Sequence, residues 1–159
     1  MLRSESVTLE SGLNLSYAEH GTESGPAVVM LPGPTDSWRS YASVLDSLPR
    51  WIRAIAVSHR GHGDSDKPNT GYRVQDFAAD AVEFLNALEI DRAVLVGHSG
   101  SCLVTRNVAL GDPEDELADR IPDAELIVYP GMGHTPRWDD PKQFSEDLTA
   151  FIERVHTVR

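Results

Sequence analysis

The sequence predicts an α/β protein, a mostly parallel sheet of about six strands flanked by helices on both faces. Two observations carry this. Short apolar runs without polar alternation, Ala27-Val28-Val29-Met30-Leu31, Ile52 to Val57 and Ala93-Val94-Leu95-Val96, read as strands buried on both sides of a parallel sheet. Stretches with helical spacing lie between and after them, which is the alternation that parallel strands need for their crossovers.

The chain begins with two alternating segments, Val7-Thr8-Leu9 and Leu13-Asn14-Leu15-Ser16-Tyr17, around Ser11-Gly12. They predict an antiparallel hairpin at a sheet edge. Gly21 to Pro26 is a loop. After the Ala27 to Leu31 strand, Pro32-Gly33-Pro34 turns the chain. Thr35, Asp36 and Ser37 are each suited to cap a helix with Trp38, Tyr41, Leu45 and Leu48 on one face. The next strand ends in Ser58-His59-Arg60-Gly61-His62-Gly63-Asp64-Ser65, a polar, glycine-rich loop. Val74, Phe77, Ala78, Ala81, Leu85 and Leu88 then follow helical spacing.

The strand Ala93 to Val96 runs into Gly97-His98-Ser99-Gly100-Ser101, and a helical stretch from Cys102 to Leu110 follows. A serine between small residues, at a sharp turn from strand to helix, is the setting of a nucleophile elbow. Such a turn is strained, so its neighbours must leave room. The last position of the usual G-x-S-x-G is Ser101 here, a small departure. An acidic run, Gly111 to Glu116, opens a short helix ending near Ile121. Leu126-Ile127-Val128-Tyr129 is expected to be a strand pairing in parallel with Ala93 to Val96, and Pro130 to His134 is its loop. Asp140 caps the last helix and Pro141 occupies its first turn. Phe144, Leu148, Phe151, Ile152 and Val155 form the expected buried stripe, returning beside the helix of Trp38 to Leu48.

The chain has 159 residues, enough for one domain with a real core, and residues 1–159 are read as that single domain with no separate cap. Acidic residues outnumber basic ones 25 to 14, a net charge of -11, which disfavours nucleic acid and anionic membrane surfaces. The single cysteine, Cys102, excludes an intramolecular disulfide and reads as a small core residue in a reducing, cytoplasmic setting. The first residues lack the apolar core of a signal peptide, and no apolar run reaches membrane-spanning length.

Four segments, in order, resemble the α/β-hydrolase superfamily and together span nearly the whole chain. Leu31-Pro32-Gly33-Pro34 is similar to the oxyanion loop, and Arg60-Gly61-His62-Gly63-Asp64-Ser65 to the loop after the family's fourth strand. Gly97 to Ser101 is similar to the elbow, and Gly131-Met132-Gly133-His134 to the loop carrying the catalytic histidine. The resemblance implies Ser99 as nucleophile and His134 as its general base. A serine hydroxyl is a poor nucleophile until an imidazole takes its proton. It implies a small-molecule acyl substrate and no cofactor.

The chain departs from the family in three ways. The oxyanion loop usually reads His-Gly-x, with x donating its N–H, but here x is Pro34, which has none. That leaves the Gly100 N–H, with Thr35 as the substitute that follows directly; one lost donor costs about 2.7–4 kcal/mol of transition-state stabilisation. The chain is also short between Leu110 and the last strand, so cap and acid loop are expected to be absent and the site open and shallow. Asp112 stands where a remnant of the acid loop would be. Topology argues against it, because the elbow helix runs back to the opposite end of strands about 17 Å long. Asp112 before Pro113 is also a natural N-cap. Asp36, Asp64 and Asp139 lie in loops at the Ser99 end and are alternative acids. His59, His62 and Asp64 read as a solvated loop rather than a metal site, since no further ligand is in evidence.

Two functional readings follow. One is a weak serine hydrolase acting on an ester or related acyl compound through an acyl-Ser99 intermediate. The other is a non-catalytic hydrolase remnant or ligand-binding module, favoured by the missing acid segment and Pro34. A nucleotide-binding reading is disfavoured, because neither G-x-G-x-x-G nor a P-loop follows the first buried strand. The sheet edge is open to pairing with a second copy, giving a homodimer.

Overall fold

A computed structural model describes residues 2–110, 127 and 129–157. Among them the sheet has five strands: β1 (Arg3–Thr8), β2 (Asn14–His20), β3 (Ala27–Leu31), β4 (Arg53–Val57) and β5 (Ala93–Gly97). Their spatial order is β1-β2-β4-β3-β5. The hairpin of β1 and β2 is antiparallel, from Arg3 opposite Glu19 to Thr8 opposite Asn14, and β2 is antiparallel to β4. The other pairs, β3 with β4 and β3 with β5, are parallel. The fold class is the α/β arrangement that the apolar runs predict.

The helices are α1 (Ala42–Ser47), α2 (Val74–Ala87), α3 (Ser101–Leu110), α4 (Pro136–Asp139) and α5 (Pro141–Thr157). Alternation along each strand assigns the two faces. Val29, Leu31, Ile55 and Val57 point to one side, where Ala78, Ala81 and Phe84 of α2 and Val104 of α3 cover them. Val28, Met30, Ala54 and Ala56 point to the other, against Val44 and Leu45 of α1 and Ile152 of α5. The last helix therefore returns beside α1, as expected.

Several expectations change. The first helix begins with a 3-10 turn, Trp38–Tyr41, before α1. Ser37 makes no side-chain cap; instead Asp36 accepts the Ser37 N–H at 2.9 Å and Ser58 Oγ accepts the Trp38 N–H at 3.1 Å. Phe151 and Val155 are exposed, because the buried line of α5 runs through Phe144, Leu148 and Ile152 at four-residue spacing. Cys102 is exposed rather than core, its thiol donating to the Gly97 carbonyl at 3.1 Å. β5 is half-buried along its length, not enclosed on both faces. Of the expected sixth strand, Leu126 and Val128 lie outside the described residues, while Ile127 and Tyr129 are in no strand. The acidic helix, with Asp112, also lies outside them.

Candidate active site

The site forms where two parallel strands end together. β3 and β5 are in register through Leu31 opposite Gly97, and the His98 N–H donates to the Leu31 carbonyl at 3.1 Å. The chain then leaves β3 for the α1 face and leaves β5 for the opposite one. The carboxyl ends of strands at such a divergence are where α/β folds bind ligands.

The turn from Gly97 to Ser101 has an unusual backbone. Ser99 has φ 54°, in the left-handed region that a residue with a Cβ rarely adopts. The turn is closed by the Ser101 N–H to the His98 carbonyl and the Cys102 N–H to the Ser99 carbonyl, both at 3.0 Å. Gly97 is required here, because a Cβ on it would come within 2.5 Å of the Ser101 carbonyl oxygen. The turn presents Ser99 exposed. Gly33 is required on the facing loop, where a Cβ would lie 2.8 Å from His98 Nδ1.

That facing loop is a tight turn from Gly33 to Asp36, closed by the Asp36 N–H to the Gly33 carbonyl at 3.2 Å. Pro34 is its second residue and Thr35, at φ 70°, its third, the pattern of a type II turn. A β-branched residue is costly at positive φ. Of the three described non-glycine residues with positive φ, Thr35, Glu89 and Ser99, the first and last stand on adjoining loops. Among the described residues neither the Gly100 N–H nor the Thr35 N–H donates a hydrogen bond.

His134 lies in the loop before α4, and this loop is docked on the elbow. His98 Nε2–H donates to the His134 carbonyl at 3.1 Å, and the two rings lie 4.8 Å apart. Asp139 accepts the Gly133 N–H at 3.0 Å, and Trp138 Nε1–H donates to the Ser40 carbonyl at 2.9 Å. Arg137, 2 % exposed, pairs with Asp36 at 3.0 Å and lies over the rings of Tyr41 and Trp138. The turn from Gly33 to Asp36 and α4, which follows the His134 loop, are thus joined by an ion pair. The ring of His134 has no hydrogen-bond partner among the described residues. The alternative acids are engaged elsewhere: Asp36 with Arg137, Asp139 with Gly133, and Asp64 with Arg39 at 2.9 Å on the surface.

Beneath the site runs a buried polar chain. His59 Nε2 is 2.9 Å from Ser101 Oγ, which donates to the Pro32 carbonyl at 2.5 Å. The hydroxyl has one proton and gives it to Pro32, so His59 Nε2 is the donor to Ser101. Burial, helped by the neighbouring His62, lowers the His59 pKa to about 4, so the ring is neutral at pH 7. Ser101, a departure by sequence, therefore bonds β4's loop and β3's loop to the start of α3. Arg60 forms a two-pronged ion pair with buried Asp80 of α2, and His62 Nδ1 donates to the Arg60 carbonyl at 2.8 Å. His59, His62 and Asp64 thus have separate partners, and among the described residues no cluster of metal-ligating side chains occurs. His98, Arg137 and the role of Ser101 were not evident from the sequence. The signal for His98 was its place inside the elbow motif.

Residues 26–114 match the family model described as alpha/beta hydrolase fold, and the chain belongs to that family. It is 38% identical over 111 residues to a non-heme chloroperoxidase of Streptomyces lividans, an alignment spanning 67% of this chain and 40% of that protein. It is 34% identical over 111 residues to bifunctional epoxide hydrolase 2 of Rattus norvegicus, covering 68% of this chain and 20% of the relative. The crystal structure of epoxide hydrolase VrEH1 from Vigna radiata superposes with TM-score 0.65 and 28% identity over 70% of this chain and 35% of that one. The chain spans less than half the length of these relatives. Among the described residues no helix is long and apolar enough to cross a membrane.

Proposed function

We propose that this chain is a serine hydrolase acting on a small ester or related acyl compound through an acyl-Ser99 intermediate, with His134 as general base. The observation that carries the reading is the left-handed backbone of Ser99 at the head of α3, on a turn that adjoins the Gly33 to Asp36 loop. In the proposed reaction His134 takes the Ser99 hydroxyl proton as Oγ bonds to the acyl carbon. The N–H groups of Gly100 and Thr35 face the oxyanion. His134 then gives its proton to the departing alcohol, and water repeats the sequence to release the acid. The names of the relatives cover a chloroperoxidase and epoxide hydrolases, so the acyl reading rests on Ser99 and not on them.

Turnover is proposed to be slow, because Pro34 supplies no N–H and no carboxylate bonds the His134 ring among the described residues. No nucleic-acid or membrane partner is proposed, in keeping with a net charge of -11, and the proposed setting is cytoplasmic. The second reading, a non-catalytic remnant, is favoured by the same ring. Hydrolysis of a short-chain aryl ester by the wild type, Ser99→Ala and His134→Ala separates the two. The hydrolase reading expects wild-type turnover that both variants lose. Wild-type turnover that Ser99→Ala retains would overturn it, and a wild type at the buffer rate would favour the remnant.

A further inference from the structure

We infer that His98 is a positioning residue that holds the His134 loop against the elbow through its Nε2–H bond to the His134 carbonyl. The inference rests on the reading of Ser99 and His134 as nucleophile and base. A carbonyl oxygen only accepts, so the proton of this bond sits on His98 Nε2. The other nitrogen, Nδ1, is buried and has no hydrogen-bond partner among the described residues, and it faces Gly33, where even a Cβ would come within 2.8 Å. The ring is therefore held in one tautomer between the oxyanion turn and the histidine loop.

The groups acting on His98 are Arg137, His134 and Asp36. Burial lowers its pKa first, Arg137 and His134 add to that, and the bond to His134 and the Asp36 carboxylate oppose it. A neutral ring is the state this geometry suits, since a second proton on Nδ1 would find no acceptor. With no hydrogen-bond partner on the His134 ring among the described residues, the position of the base depends on its backbone. His98 ties that backbone to the residue preceding the nucleophile.

The test compares wild type, His98→Leu and His98→Gln. Leucine removes the donor and keeps the bulk; glutamine restores an N–H donor. Two readouts are taken: the rate of Ser99 labelling by an organophosphonate, and amide hydrogen exchange over residues 131–135. One lost hydrogen bond predicts exchange about threefold to tenfold faster in His98→Leu and labelling slowed by a similar factor. His98→Gln recovers both, and thermal unfolding confirms that each variant is folded. Wild-type exchange in His98→Leu, or no recovery in folded His98→Gln, would overturn the inference. If the wild type fails to label at all, the nucleophile reading fails, and the exchange comparison alone decides the tether.

Discussion

The buried chain through Ser101 makes a prediction that can be worked from its geometry. Ser101 is 3 % exposed and His59 6 % exposed, and the hydroxyl serves both the His59 Nε2–H at 2.9 Å and the Pro32 carbonyl at 2.5 Å. Ser101→Ala removes the hydroxyl and leaves a buried donor and a buried acceptor. Each group left without a partner costs about 1–3 kcal/mol. The loss is at the lower end, because the donor and the acceptor left behind flank the same space and can bond each other. The expected destabilisation is about 2–3 kcal/mol, which for a chain of this size lowers the Tm by about 5–10 °C. Thermal and urea unfolding at neutral pH measure it. Ser47→Ala, which removes an exposed hydroxyl bonded only to the Ser43 carbonyl, is the control and should stay within about 0.5 kcal/mol of wild type. A Ser101→Ala protein as stable as that control would refute the bridging role.

Three further predictions follow from the same geometry. His59 is neutral in the fold with its pKa lowered to about 4, so the unfolded chain binds the extra proton first as pH falls. Its contribution is full above about pH 6.5 and lost towards pH 4, about 3 kcal/mol in all; urea titrations across that range should lose this slope in His59→Gln. Gly97→Ala drives a Cβ against the Ser101 carbonyl and should cost about 1–3 kcal/mol, read as a lowered Tm and weaker Ser99 labelling; an unchanged Tm would contradict the close packing of the elbow. Arg137→Met breaks the ion pair with the partly exposed Asp36 and should destabilise by about 2 kcal/mol, with Asp36→Asn in the Arg137→Met background adding little in a double-mutant cycle.

The central strands β3 and β4 were legible because their signal is local. Val28 to Leu31 and Ala54 to Val57 are continuous apolar runs, and burial on two faces leaves them no other composition. The tight turn after β5 was legible for the same reason, since its glycines and serine are contiguous. The stripe of α5 was legible only in part. Phe144, Leu148 and Ile152 lie on the packed line, but Phe151 is as apolar as they are and faces outward beside Arg154. Hydrophobicity states what a residue prefers and not which arc of the helix meets the sheet. The ties across the site were not legible. Arg137 reads as a surface cation until Asp36, 101 positions away, and two aromatic rings are brought around it. His98 to His134 and Ser101 to Pro32 likewise join residues 36 and 69 positions apart. Such pairings depend on the register of β3 against β5, which no local pattern specifies.

The central claim is that Ser99 is an assembled nucleophile. Its most direct test is peptide-mapped mass spectrometry of the protein after reaction with an organophosphonate. One adduct is expected, on the peptide containing Ser99, absent from Ser99→Ala and reduced in His134→Ala. An unmodified wild type, or an adduct that persists in Ser99→Ala, would contradict it.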